Sequence, residues 1–104
     1  MNPEPFLNLD RTIHEKGRLA IMALLASTPH LSFTELRDTL KMTDGNLVAH
    51  LRTLHEAGYV AVTKVFRESR PLTTYSLTPQ GRKAFADYIE LLAQIVAQAR
   101  PESG

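Results

Sequence analysis

The 104-residue chain contains no cysteine. This absence excludes disulfide bridges, zinc sites with thiolate ligands and thiol nucleophiles. No uninterrupted apolar run reaches the length of about 18 residues that a membrane-spanning helix requires. Residues 1–10 have neither the basic start nor the apolar block of a signal peptide, so we expect a cytoplasmic protein without a membrane segment.

The sequence also lacks the motifs of the common enzyme classes. It has no glycine-rich phosphate loop, no nucleophile elbow and no clustered acid–base pair. Its four histidines stand at positions 14, 30, 50 and 55, and no two of them are three or four residues apart on one helix, as paired metal ligands would be. We therefore predict no catalytic residue, no metal site and no cofactor.

The length and composition are those of one globular domain. Hydrophobic residues make up 43% of the chain and charged residues 22%, which is ordinary for a folded protein. No repeat or linker divides the sequence. Residues 1–8, with Pro3 and Pro5, are expected to form a flexible arm, and residues 100–104 a frayed tail.

Charge is distributed unevenly, although the formal net charge is only +1. Residues 41–83 hold seven basic and three acidic side chains, a local charge of +4, and the remainder of the chain carries −3. This asymmetry favours an anionic partner that faces the middle segment. A solvated surface with chance clustering of charge is the alternative.

Helix signals dominate the first half of the chain. Asp10 can cap a short turn that ends at Ile13, and residues 15–26 are apolar around most of a helical circumference, as in a central core helix. Ser32 and Glu35 have the spacing of a capping box, which predicts a short helix ending by Lys41.

A second capped helix is predicted over residues 44–57, between Thr43 and Gly58. One stripe of this helix faces the core, formed by Leu47, Leu51 and Leu54. Residues 59–66 and 72–77 are rich in β-branched and aromatic side chains, and the polar turn 67–71 joins them into a hairpin. A last helix is predicted from Pro79, with Thr78 as its N-cap, to about residue 99.

This order of elements predicts a mainly α protein with a β-hairpin: a winged helix-turn-helix. Residues 9–78 would form the three-helix core and the wing, and residues 79–99 a long C-terminal helix. In a helix-turn-helix the second helix enters the major groove of DNA while the first crosses the backbone.

The outward side of the predicted helix 44–57 is small or polar, which suits a groove. Arg52 could bind a guanine edge or a phosphate, and Asn46 an adenine edge or a phosphate. Thr43 is first of all a helix cap, although free backbone N–H groups beside it suit a phosphate. Two alternatives stay open: Arg52 could pair with Glu56, and His50 could be a packed imidazole rather than a base reader.

The wing is expected to present Lys64, Arg67 and Arg70. Arginines on a hairpin tip can follow phosphates or enter a narrow minor groove. Charged hairpin tips are also commonly just solvated.

An apolar stripe advances by threes and fours along the last helix, formed by Phe85, Tyr88, Ile89, Leu92, Ile95, Val96 and Ala99. Phe85 and Tyr88 could pack on their own core. The outer half has little left in so small a domain to cover it, which predicts a two-fold dimer interface to which Leu7 and Leu9 contribute.

Three stretches in order resemble small winged-helix regulators: HEKGRLAIM at residues 14–22, DGNLVAHLRTLHEAGYV at 44–60 and YSLTPQGR at 75–82. Over residues 9–96 the chain looks like a MarR/ArsR-type transcription factor. The resemblance implies a homodimeric regulator, usually a repressor, that binds palindromic operators in double-stranded DNA. It also implies the possibility of a small-molecule effector, of unknown identity, between the DNA-binding lobe and the dimer helices.

Carried over by position, the family's DNA contacts fall on the helix of residues 44–57, which is the recognition helix, and on the wing. They are Thr43, Asn46, Ala49, His50, Arg52, Thr53, Lys64, Arg67 and Arg70. Where many relatives carry a polar or basic residue, this chain has Val48 and Ala49, so direct base readout would be thin. A winged-helix module that binds a protein partner and no DNA is therefore the alternative function.

Overall fold

The computed structural model describes residues 2–100, in which five helices and three strands follow one another. Their bounds are α1 Glu4–Leu7, α2 Lys16–Ser27, β1 Leu31–Ser32, α3 Phe33–Leu40, α4 Asp44–Glu56, β2 Val60–Arg67, β3 Arg70–Leu77 and α5 Pro79–Ala99. The strands form one antiparallel sheet in the order β1-β3-β2. The predicted winged helix-turn-helix is confirmed. Within residues 2–100, no helix combines the length and apolar character needed to cross a bilayer.

Side-chain caps explain where four helices begin. The hydroxyls of Ser32, Thr43 and Thr78 accept hydrogen bonds from backbone N–H groups three residues on, at 2.9–3.2 Å. The Glu35 carboxylate accepts a hydrogen bond from the Ser32 N–H at 3.0 Å, which completes the predicted capping box. The carboxylate of Glu15 caps α2 through the Arg18 N–H at 2.8 Å.

Eleven buried hydrophobic side chains form a single core where α2, α3 and α4 meet the base of the sheet and the start of α5. They are Ile13, Ile21, Met22, Leu25, Leu36, Leu47, Leu51, Leu54, Val60, Leu77 and Tyr88. Tyr88 is 1% exposed, and its hydroxyl lies 2.8 Å from Nδ1 of His14. The structure thus places Tyr88, predicted at the dimer surface, in the core of its own chain.

The N-terminal arm differs from the flexible segment that the sequence suggested. Residues 4–7 form the single turn α1, which packs along α5 with Pro5 buried. The Asn2 N–H donates to Oε1 of Gln98 at 2.8 Å. Proline favours the first turn of a helix, and the apolar side of α5 provides a surface for it. Apart from exposed Arg100, the predicted frayed tail lies outside the described residues.

The sheet departs from the prediction in two places. Strand β1 was not predicted; its two residues pair with Tyr75 and Thr74 of β3, some forty positions away. The hairpin turn is also tighter than the expected segment 67–71, because only Glu68 and Ser69 connect the strands, at φ 53° and 64°. Pro71 is tolerated within β3 because at this end the strand pairs with β2 alone.

A close approach of two backbones joins α5 to the corner between α4 and β2. The Thr78 N–H donates to the Tyr59 carbonyl at 3.0 Å, and the Thr78 hydroxyl donates to the Gly58 carbonyl at 2.6 Å. Gly81 is buried against this corner, and a Cβ there would lie 2.1 Å from the Tyr59 carbonyl oxygen. Gly58 itself has φ +81°, as predicted for the glycine that ends α4.

We predict that Gly81→Ala lowers the free energy of unfolding by about 3 kcal/mol, the upper end of overpacking costs, because backbone atoms must move. The matched control is Gly45→Ala in α4, where a Cβ would meet nothing within 4 Å. Urea unfolding of both variants checks this. Equal stability of the two variants would contradict the close approach at Tyr59.

The Tyr59 hydroxyl donates to the Asp10 carboxylate, whose other oxygen accepts the Thr12 N–H at 2.8 Å. This hydrogen bond, with burial and the negative charge of Asp10, raises the pKa of Tyr59 from 10.0 to about 12. Because the pKa is raised in the folded state, the stabilisation is complete below pH 10 and is lost as the pH rises towards 12.

Tyr59→Phe should therefore cost about 1–2 kcal/mol of unfolding free energy at neutral pH. The difference from the wild type should shrink as the tyrosine ionises, measured by urea unfolding across alkaline pH. A difference that stayed constant through pH 12 would show that the hydroxyl is not the stabilising group.

Candidate nucleic-acid interface

The helix-turn-helix consists of α3, a three-residue turn and α4. Lys41 ends α3 in the left-handed conformation, at φ 54°. Across the turn, the Arg37 guanidinium lies 3.0 Å from Asp44 Oδ1 and 3.0 Å from Asp38 Oδ1. The contact with Asp44 connects α3 to the first turn of α4, whereas the contact with Asp38 lies within α3.

Helix α4 has one buried side and one open side. Leu47, Leu51 and Leu54 are at most 5% exposed, which confirms the predicted core stripe. Successive residues turn by about 100° around a helix, so the opposite side is turned to solvent. The exposed side chains there are those of Asn46, Val48, Ala49, Arg52, Thr53 and Glu56.

Arg52 stands free on this open side. Within residues 2–100, no carboxylate lies within ion-pairing distance of its guanidinium, so the alternative pair with Glu56 is not formed. The Thr53 hydroxyl donates to the Ala49 carbonyl at 3.1 Å. The Thr43 oxygen accepts the Asn46 N–H at 3.2 Å, which leaves its hydroxyl proton available to an outside acceptor.

His50 lies on the flank of α4 that faces α2, away from Arg52. Its Nδ1 is 3.6 Å from Glu15 Oε1 and 3.5 Å from Arg18 Nη1. Gly17 makes room for the ring, because a Cβ there would lie 2.6 Å from Nε2. The hydrogen bond from the Arg18 backbone N–H lowers the pKa of the Glu15 carboxyl, and the charges of His50 and Arg18 lower it further. His50 thus has the packed position that the sequence left open as an alternative to base reading.

The wing presents its three basic residues to solvent. Lys64, Arg67 and Arg70 are all exposed, and in the described part of the chain none is in an ion pair. The pKa of Glu35 on α3 is lowered mainly by the hydrogen bond from the Ser32 backbone N–H. The charge of Arg67 lowers this pKa further.

The base of the wing meets α4 along a groove. Val48, Leu51 and Arg52 of α4 line a cavity of about 240 Å³ together with Val62 and Tyr75 of the hairpin. Val48 and Val62 are 43% and 44% exposed. The open side of α4 and one face of the wing therefore form a continuous surface, with Arg52 at the junction.

A second exposed surface lies on α5, far from the wing. Ile89 and Val96 are each 44% exposed and line an open cavity of about 440 Å³ with Leu92, Ala93 and Ala97. The predicted dimer residues thus differ in their exposure to solvent. Ala99 is exposed, whereas Phe85, Leu92 and Ile95 are partly buried.

Sequence reasoning missed one conspicuous side chain. Phe66 is 77% exposed, the highest exposure among the large hydrophobic residues in the described range. The available signal was the two-residue period of the strand, which continues past the point where β2 leaves the core.

A family model described as "Winged helix DNA-binding domain" matches residues 18–96. Protein MJ0432 of Methanocaldococcus jannaschii is 38% identical over 78 residues, which cover 75% of this chain and 85% of that protein. A transcriptional regulator homologue from Pyrococcus horikoshii superposes with a TM-score of 0.84 at 26% identity, over 94% of this chain and 95% of that one.

Two further solved structures are similar. A MarR-family regulator described as putative, from Enterococcus faecalis, has a TM-score of 0.72 at 28% identity, over 94% of this chain and 88% of that one. The transcriptional repressor CouR, bound to a 23-mer DNA duplex, has a TM-score of 0.66 at 29% identity, over 73% of this chain and 53% of that one.

The exposed side of α4, the basic wing and these matches all indicate a DNA-binding domain. The chain belongs to the winged helix DNA-binding domain family, and its structural neighbours include MarR-family transcriptional regulators.

Proposed function

We propose that this protein is a transcriptional regulator, acting as a repressor, that binds a palindromic operator as a homodimer. The observation that carries the proposal is the set of unpaired, exposed cations on α4 and the wing: Arg52 on α4, and Lys64, Arg67 and Arg70 on the wing. Unpaired cations are available for phosphates, and phosphate contacts supply much of the affinity for DNA. Such a regulator would act in the cytoplasm, where a prokaryotic chromosome lies.

In the proposed complex, α4 enters the major groove with its open side towards the bases. The small side chains of Gly45 and Ala49 allow a close approach. Arg52 and Asn46 are the residues that can bond base edges or phosphates, and Thr43 can donate to a phosphate beside the N-terminus of α4. The wing then lies on the backbone or the minor groove with Arg67 and Arg70.

Because α4 offers few groups that can read bases, one lobe alone would bind weakly. Two linked lobes gain affinity without any new contact. The exposed side of α5 around Ile89 and Val96 supports a two-fold pairing, and α1, which packs against α5, exposes Phe6 and Leu7 in addition. A two-fold dimer would match a palindromic operator.

The comparison with CouR, a repressor bound to a DNA duplex, supports this function over the protein-binding alternative. A small-molecule effector belongs to the same proposal. A cavity of about 200 Å³ lies at the N-terminal segment, lined by Phe6, Leu7, Leu9, Arg11 and His14. His14 also contacts Tyr88 of α5, so a ligand there would lie against a residue that connects the N-terminal segment to α5.

We expect Arg52→Ala and Arg67→Ala each to weaken binding to duplex DNA by roughly tenfold and to reduce the slope of log K against log salt by about one. Anisotropy titrations at several salt concentrations, with promoter-derived and random duplexes, measure both quantities. The matched control is Lys83→Ala on α5, whose charge Asp87 already neutralises at 2.8 Å. Wild-type protein that binds no duplex at low salt would leave the protein-binding module as the function.

We expect Val96→Glu to weaken the dimer at least tenfold, because it places a carboxylate in an apolar interface. Gln94→Glu adds the same charge on the opposite side of α5 and should leave association unchanged. Sedimentation equilibrium measures the dissociation constant of each variant. A wild-type monomer at micromolar concentration would rule out the dimer.

A further inference from the structure

The exposed ring of Phe66 is not explained by the fold. It is 77% exposed, so it gains little of the stabilisation that burial gives an aromatic side chain. Valine and threonine, which also favour strands, would serve the hairpin without presenting a phenyl ring to water. A contact outside the chain would account for the ring.

The strand register shows which way the ring faces. Side chains two apart share one side of a strand, so Phe66 lies on the same side as Val62 and Lys64. Pro71 is its partner across the hairpin, and Tyr75 is the partner of Val62. Val62 and Tyr75 line the groove against α4. Phe66 and Pro71 therefore continue the surface of this groove to the end of the wing.

The charges around the ring favour a polyanion as its partner. Arg67 and Arg70 follow on the opposite side of the same two strands, and Lys64 precedes on the same side. Within residues 60–77, Glu68 is the only acidic residue. An aromatic side chain between unpaired cations fits a duplex, whose phosphates flank the apolar walls formed by the sugars.

The wing holds the ring in a defined place. Pairing of β2 with β3 continues to the last pair, Arg67 with Arg70, and only two residues make the turn. A ring presented on so short a connection loses little conformational entropy when it binds.

We infer that Phe66 is an apolar DNA contact: its ring enters the minor groove against the sugars and the edge of a base step, while Arg67 and Arg70 bind the flanking phosphates. Proteins of the minor groove use phenylalanine side chains in this way. The inference rests on the proposed function, and it adds a binding residue to the basic residues of the wing.

The test is the salt dependence of DNA binding by full-length Phe66→Ala. The probe is a fluorescently labelled duplex of about 25 base pairs, long enough for two half-sites. An apolar contact releases no counterions, so affinity should fall by roughly fivefold to tenfold at every salt concentration with an unchanged slope. Arg67→Ala, in contrast, should make the slope shallower.

Two variants provide matched controls. Phe66→Leu keeps an apolar side chain and should retain most of the affinity. Val65→Ala changes the neighbouring residue on the opposite side of β2 and should bind as the wild type does. Urea unfolding should be the same for wild type and Phe66→Ala, since the ring is exposed.

The outcomes separate this inference from the function on which it rests. If the wild type binds DNA and Phe66→Ala binds equally well, the ring contacts something other than DNA and the inference is wrong, while the regulator remains. A shallower salt slope in Phe66→Ala would also overturn the inference, because the ring would then act by placing the arginines. A wild type that binds no duplex overturns both.

Discussion

The burial of three leucines determines which side of α4 faces outward. Leu47, Leu51 and Leu54 pack against the core and are at most 5% exposed, and truncating one such side chain typically costs about 2–5 kcal/mol. Turning the helix by one position, about 100°, would expose leucine and move Arg52 towards the core. Packing alone therefore keeps Arg52 and Asn46 on the open side. The surface available to DNA is a consequence of the core.

Local signals in the sequence were sufficient to place most of the helices. A cap such as Ser32 or Thr78 bonds to an N–H only three residues on, and the leucine stripe repeats within α4, so both can be read without knowing the fold. Strand β1 could not be read in this way, because two residues carry no period and their partners lie far along the chain. The positions of α1 and Tyr88 likewise depend on contacts between distant segments.

The candidate site was predicted in the same uneven way. Composition located the basic wing, and helical rotation placed Arg52 outward. His50 was harder, since its position depends on the space that Gly17 leaves on another helix. Phe66 was missed because an aromatic residue in a predicted strand is ordinarily assigned to the core, whereas β2 extends beyond the core from its third residue onward.

Helix α5 passes without glycine or proline from Arg82, beside the DNA-binding lobe, to Ala99 at its outer end. At its start it is held by Thr78 and Gly81 against the corner that ends α4. In the proposed dimer each α5 would act as a stiff lever of about 30 Å, so a 10° change in the crossing angle would displace each recognition helix by about 5 Å. The angle at which two copies cross would set the spacing between half-sites, and a ligand that altered this angle would control DNA binding without touching α4.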